Sequence, residues 1–229
     1  MNSTRKIAVT TGVIFIVATV AALLAAGVEP ILTSTDYLTK VSANANQVAM
    51  DAFLYLIAAF TSVGIAISMY PVMKGSNAGL ALGSLVFRTI EAVMYLVAAV
   101  SLLSVLSLSQ NFTTIGPTNR DALQVVGNSL LSVREHATLA GVFAFSVGAF
   151  MYYYLFFQSR LVPRWLSGWG IIAIILMMAA CLLALFSNSP VTGYALLILP
   201  IAIQEMVLAI WLIVKGFNSS AIEPEAAKA

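Results

Sequence analysis

The chain has 229 residues, of which 61% are hydrophobic and only 9% charged, with a mean hydropathy of +0.98. Usage this far from the ordinary range excludes a soluble globular domain. The formal net charge is only +2, and the basic residues are scattered over the ends of apolar runs. Nothing resembles a nucleic-acid-binding face, so nucleic acid is discarded as a partner.

A membrane-crossing helix needs about 20 mainly apolar residues, and six stretches qualify, near 7–27, 48–70, 78–107, 131–157, 164–186 and 191–214. They predict an all-α, polytopic bundle of six transmembrane helices spanning 1–217, with a flexible polar tail over 218–229. The first stretch follows Arg5 and Lys6 and ends in Ala25, Ala26 and Gly27, which has the look of a signal peptide. Its length exceeds the roughly 7–15 apolar residues of a secretory core, so a retained helix fits better.

In the second span Asp51, Tyr55 and Ser62 share one side, and in the third Ser84, Arg88, Glu91 and Tyr95 do so. The turn 71–77 is short, whereas the connections 28–47 and 108–130 on the opposite side are long. Gly116 and Pro117 break the second of these, and Thr118 stands three residues before Asp121, an acidic variant of a capping box. A short amphipathic helix with Leu123, Val126, Leu130 and Leu131 on its apolar side is expected next, running on into the fourth span.

On that span Ser132, His136, Phe143 and Ser146 fall on a comparable side. Ala137, Gly141, Ala144 and Gly148 form a small-residue stripe suited to close helix packing. Tyr152, Tyr153, Tyr154, Phe156, Phe157, Trp165 and Trp169 bracket the next turn and read as interfacial anchors. The single cysteine, Cys181, lies in the apolar run Ile171–Phe186, which forbids an intrachain disulfide and makes it a packing residue.

Basic residues flanking the spans favour the cytoplasm. With both termini inside, the inner ends carry Arg5, Lys6, Lys74, Arg160, Arg164, Lys215 and Lys228. The outer side has Lys40 and Arg120, with Arg134 near the boundary. That orientation is the expected one.

Charges at the bilayer centre cost about 2.5–3.5 kcal/mol each on insertion scales, so intramembrane ionisable residues mark candidate sites. From the helical rise, Arg88 lies about 15 Å and Glu91 about 20 Å from the inner edge, while Glu205 lies about 21 Å below the outer edge. Arg88 and Glu205 are expected to pair, because their depths nearly match and their side chains lean toward each other. Glu91, His136 and Asp51 are expected to line one cavity opening outward, walled by Tyr55, Tyr95 and Phe143, with Arg88 and Glu205 as its floor. Each has a plainer reading: a neutralising ion pair for Arg88, a helix-start carboxylate for Asp51 and a solvated boundary histidine for His136.

There is no P-loop, no H-E-x-x-H and no G-x-S-x-G elbow. One histidine rules out bis-histidine haem and three-histidine zinc within the chain, leaving a site of one histidine with two carboxylates, Glu91, His136 and Asp51, as the metal candidate.

The stretch Phe87-Arg88-Thr89-Ile90-Glu91-Ala92, the segment Ser159 to Gly168 with Pro163 after a basic turn, and the ending from Pro200 through Glu205 to Trp211-Leu212-Ile213-Val214-Lys215-Gly216 resemble a bacterial and archaeal membrane family. It is the one known as domain of unknown function four-three-eight-six. The resemblance runs from about Arg5 to Gly216. It implies six membrane helices and a prokaryotic inner membrane, and it brings no activity or cofactor.

Three functions therefore compete. One is a polar intramembrane cavity that binds or moves a small solute or proton through Glu91 and Glu205, with Arg88 as counter-ion. Another is an outer-leaflet, lipid-modifying or metal-dependent hydrolase built on His136, Glu91 and Asp51. The third is a structural or partner-binding scaffold. The first is the reading taken forward.

Overall fold

A computed structural model describes residues 3–114, 120–187, 189–218 and 221. Eight α-helices follow in chain order: α1 (Ser3–Leu24), α2 (Glu29–Leu32), α3 (Tyr37–Ala43), α4 (Ala45–Met73), α5 (Ala78–Thr114), α6 (Arg120–Ser159), α7 (Arg164–Ser187) and α8 (Ala195–Val214). Short 3-10 turns at Ala25–Val28 and Val191–Tyr194 precede α2 and α8. No strand occurs among the described residues. Six helical segments are long and apolar enough to cross a membrane: Ser3–Leu32, Ala45–Met73, Ala78–Thr114, Arg120–Ser159, Arg164–Ser187 and Val191–Val214. The protein is a multi-pass membrane protein with an all-α bundle.

The six long helices close into a ring. Each packs on the next in sequence, α1 on α4, α4 on α5, α5 on α6, α6 on α7 and α7 on α8, and α8 returns to α1. Small residues set the closest approaches. On α6, Ala137, Gly141, Ala144 and Gly148 are all buried, and a side chain on Gly148 would meet Phe87 Cβ at 3.1 Å and the Ser84 carbonyl at 3.3 Å. The expected packing stripe is thus the α5–α6 seam. Where the ring closes, a Cβ on Gly12 would come within 2.7 Å of the Ala209 carbonyl of α8.

The start of α1 and the end of α8 lie at one end of the ring. Arg5 of α1 donates to the carbonyls of Leu212, Ile213 and Val214 at 3.3, 2.5 and 3.2 Å. It satisfies carbonyls that the end of α8 leaves free and puts a cation at the negative pole of that helix. Gly216, at φ +79°, turns the chain out of α8, and its amide donates back to the Trp211 carbonyl at 3.2 Å. The left-handed conformation there gives the Lys-Gly ending a physical reason. At the same end Arg160, at φ 60°, turns the chain from α6 toward α7, and the Asn218 amide donates to the Leu161 carbonyl at 2.9 Å.

The opposite end carries a cap. Helices α5 and α6, 37 and 40 residues long, are about 55 and 60 Å in length and outrun a hydrocarbon core of about 30 Å. Helix α3 packs on α5. Val28, Leu32, Tyr37, Leu38 and Val41 are buried there against Val48, Leu102 and Val105. The amphipathic stretch does run unbroken into the fourth span. Leu123, Leu130 and Leu131 are partly buried, but Val126 is 48% exposed; the inward residue is Gly127, seated against the Tyr37 ring. Gly116, Pro117, the Thr118 cap and nearly all of the polar tail lie outside the described residues.

The aromatic cluster divides in two. Trp165, Tyr154 and Phe157 face outward as interfacial anchors would, at 56, 44 and 39% exposure, whereas Tyr152, Tyr153 and Phe156 are fully buried. The inward rings recur at i, i+1 and i+4 on one arc of α6, so helical phase, and not position beside a turn, decides their environment. They pack with Phe15, Met69, Met73 and Leu166 in the main core.

Candidate functional site

The ring encloses a cavity of about 210 Å³ lined by residues of all six long helices. From α1 come Ala18, Thr19, Ala22 and Leu23; from α4, Tyr55, Ala58 and Ser62; from α5, Arg88, Glu91 and Tyr95. Helix α6 adds Thr138, Val142 and Phe145, α7 adds Met177, and α8 adds Ile198, Ile201, Ala202 and Glu205. Ala25, Val191 and Thr192 line it from the 3-10 turns, and Glu29 from α2, at the cap end. The walls are apolar and the polar groups few and convergent, the usual make-up of a small-molecule site.

Three ionisable groups meet deep in the bundle. Arg88 Nη1 lies 3.0 Å from Glu91 Oε2, both side chains nearly inaccessible. The Ser62 hydroxyl donates to the same Glu91 oxygen at 2.6 Å. The Arg88 guanidinium sits 4.8 Å from the centre of the Phe145 ring, a cation–π contact. Its Nε and Nη1 make no aligned hydrogen bond, and neither do the buried hydroxyls of Tyr152 and Ser84. Across the cavity Glu205 is half-buried and accepts a hydrogen bond from Thr19 at 3.2 Å.

Of the direct or water-bridged contact expected between Arg88 and Glu205, the direct ion pair is not formed: among the described residues Arg88 pairs with Glu91 and Glu205 has no cation within salt-bridge reach, although Arg88 and Glu205 interact electrostatically across the cavity. Leaning of side chains toward the helix N-terminus explains it. Glu91, one turn beyond Arg88 on the same helix, leans back onto the guanidinium without having to cross the ring. The expected floor of Arg88 and Glu205 nonetheless lines the cavity, with Glu91, Tyr55 and Tyr95.

A second charged cluster lies at the cap end. Arg134 is 2% exposed, 2.6 Å from Glu29, and its guanidinium lies 5.6 Å from the centre of the Tyr55 ring. Asp51 is 3% exposed, its Oδ2 has no hydrogen-bond partner, and it interacts electrostatically with Arg134 and Glu29. It is not among the cavity-lining residues.

His136 is exposed, its Nδ1 at 2.7 Å from the Ser132 carbonyl of its own helix, and it does not line the cavity. It is two residues, or about 200° of helix, from the inward Arg134. The same phase turns Phe143 outward at 37% exposure and makes Phe145 the cavity wall. Among the described residues no group of three or more His, Cys, Asp or Glu side chains is placed to hold a metal, so the trio Asp51, Glu91 and His136 is not assembled.

Sequence reasoning missed Arg134, Glu29 and Thr19. Arg134 has the same phase as Thr138, Gly141 and Phe145, a signal that its place beside Glu135 and His136 masked. Glu29, beyond the end of the first apolar run, carries no such periodic signal.

A family model described as Domain of unknown function (DUF4386) matches residues 10–216. The chain belongs to that family. The match covers all six long helices, including Arg88, Glu91 and Glu205, and extends to Gly216, whose left-handed turn ends α8. No curated protein and no solved structure gives a match. Within this DUF4386 chain, the residues that carried the resemblance serve two ends: the Arg88–Glu91 stretch and Glu205 line the cavity, while the Trp211–Gly216 ending closes the ring at Arg5.

Proposed function

We propose that this DUF4386 protein binds a small cationic solute within the membrane, in the cavity between the six helices, with Glu205 as the group that receives its charge. One observation carries the reading: Glu205 faces the cavity, accepts from the Thr19 hydroxyl and has no cation within salt-bridge reach among the described residues, while the nearby guanidinium is held against Glu91. A carboxylate kept at that depth without its own cation needs a proton or a ligand charge to offset its desolvation. The cavity volume of about 210 Å³ exceeds the roughly 150 Å³ that accommodates benzene, so it suits an amine with a single ring or a short chain. A close-packed scaffold would have no use for such a space, and the hydrolase reading lacks its assembled trio.

The test is thermal unfolding of the purified protein followed by labelling of Cys181, which is the chain's single cysteine and fully buried. Benzylammonium at 100-fold over its Kd is expected to stabilise the native state by about 2.7 kcal/mol, with no effect from benzoate. Glu205→Gln keeps the shape of the side chain and is expected to abolish the stabilisation. Equal stabilisation of wild type and Glu205→Gln would overturn the assignment.

The proposed orientation places both termini and the 71–77 loop in the cytoplasm of a prokaryotic cell, because Arg5, Lys6, Lys74, Arg160, Arg164 and Lys215 gather at that end. The cap of α2 and α3 then faces outward. A reporter fused after Lys215 is expected to be active only in its cytoplasmic form; activity in the exported form would reverse the assignment.

A further inference from the structure

Helices α1 and α8 pack tightly from the terminal end up to the level of Glu205, with Arg5 on the carbonyls of residues 212–214, Gly12 against Ala209, and Thr19 on Glu205. Beyond that level both helices reach a break. Helix α1 gives way to a 3-10 turn at Ala25, and α8 carries Pro200 in its interior, where the missing amide bends a helix. The turn Ala25–Val28 packs chiefly on α4, and the turn Val191–Tyr194 on α7. At this end stand residues that both line the cavity and are exposed on the flank of the bundle: Ala22, Leu23 and Thr192, with Ile198 partly so. All but Thr192 are apolar.

The axial directions are filled by more buried side chains. At the cap end the Arg134 guanidinium, paired with Glu29, lies over the Tyr55 ring, beside the buried cluster of α2 and α3. At the terminal end Phe15, Tyr152 and Phe156 are fully buried. The lining residues exposed on the flank point to a sideways opening toward the bilayer, and a mouth lined with alanine, leucine and isoleucine favours hydrocarbon over water.

We infer that the ligand is an amine-bearing amphiphile that occupies the cavity from within the bilayer, its ammonium group at Glu205 and its apolar chain lying in the gap between α1 and α8. From Glu205 to Thr192 is about 20 Å of helical rise, which allows an extended chain. The inference rests on the proposed role of Glu205 and adds the class of ligand and its route. The ammonium can belong to a free alkylamine or to an aminolipid headgroup.

The experiment measures the affinity of full-length protein in phosphatidylcholine nanodiscs for methylamine, butylamine and octylamine, through the unfolding temperature read by Cys181 labelling and referred to the free aqueous concentration of each amine. Affinity is expected to rise by up to about fourfold per added methylene, the gain for burying that group. Ala22→Trp and Ile198→Trp, on the two lips of the gap, are expected to flatten the dependence on chain length, and a cooperative unfolding transition read by Cys181 labelling shows that the variants are folded. Equal affinity for all three amines in the wild type, or a chain-length gain that survives both substitutions, overturns the inference and leaves the Glu205 site standing. Failure of every amine to bind overturns the Glu205 reading itself. Adding phosphatidylethanolamine to the nanodiscs separates the two sources of the ammonium: suppression of octylamine binding identifies the aminolipid as occupant, and unchanged binding identifies a free amphiphilic amine.

Discussion

Glu91→Leu is expected to destabilise the protein by about 3–5 kcal/mol, the range for breaking a buried ion pair from one side. The substitution leaves Arg88 at 2% exposure without the one partner within salt-bridge reach among the described residues, and a guanidinium cannot shed its proton to escape the cost. Arg88→Leu is expected to be milder, because a stranded Glu91 can take up a proton and still accept from Ser62. The double variant, with neither charge, is expected to be milder than Glu91→Leu alone. Unfolding in mixed micelles, with Cys181 labelling as the readout, measures all three. Additive losses in the double-mutant cycle would mean that the 3.0 Å approach carries no coupling energy.

Gly170→Ala should cost nearly as much, about 2–5 kcal/mol, for a purely steric reason. A Cβ at this position on α7 would stand 2.8 Å from Cγ of the Tyr153 ring. That ring has nowhere to go: it is fully buried, and its hydroxyl donates to Gln204 of α8, whose amide in turn donates to the Leu166 carbonyl of α7 at 3.0 Å. Moving the ring breaks a polar tie between three helices. Gly168→Ala, two residues earlier on the same helix, meets nothing nearer than 3.7 Å. It is expected to be neutral or to stabilise by up to about 1 kcal/mol through helix propensity. Equal unfolding temperatures for the two variants would show that the Tyr153 contact does not constrain the bundle.

Both expectations concern residues whose environment depends on a partner helix, and sequence reading goes astray at just such residues. Arg88, Glu91 and Glu205 stand out because a charge in an apolar run is anomalous whatever surrounds it. Which of them pair is a different question. Matching of depths suggested Arg88 with Glu205, but depth is known only to a few ångströms, whereas a pair on one helix is held in reach by the helix itself. Arg134 shows the opposite error: it sits close enough to a predicted boundary to pass as solvated, and only Glu29, more than a hundred residues away in the chain, makes its burial tolerable.

The chain by itself determined that this is a multi-pass membrane protein with six crossing helices, because an apolar run of membrane length and the backbone's need to satisfy its own hydrogen bonds are properties of each segment alone. It also determined the small-residue seam of α6 and the intramembrane charges that open the search for a site. Tertiary structure alone decided that the helices close into a ring around a cavity, that Glu205 faces that cavity without a cation of its own while His136 turns away, and that Tyr152 and Tyr153 lie in the core. Those facts depend on the rotation of each helix about its axis and on which helix it meets. A rotation of one residue is about 100°, enough to carry a side chain from lipid to interior without changing the hydropathy of the span.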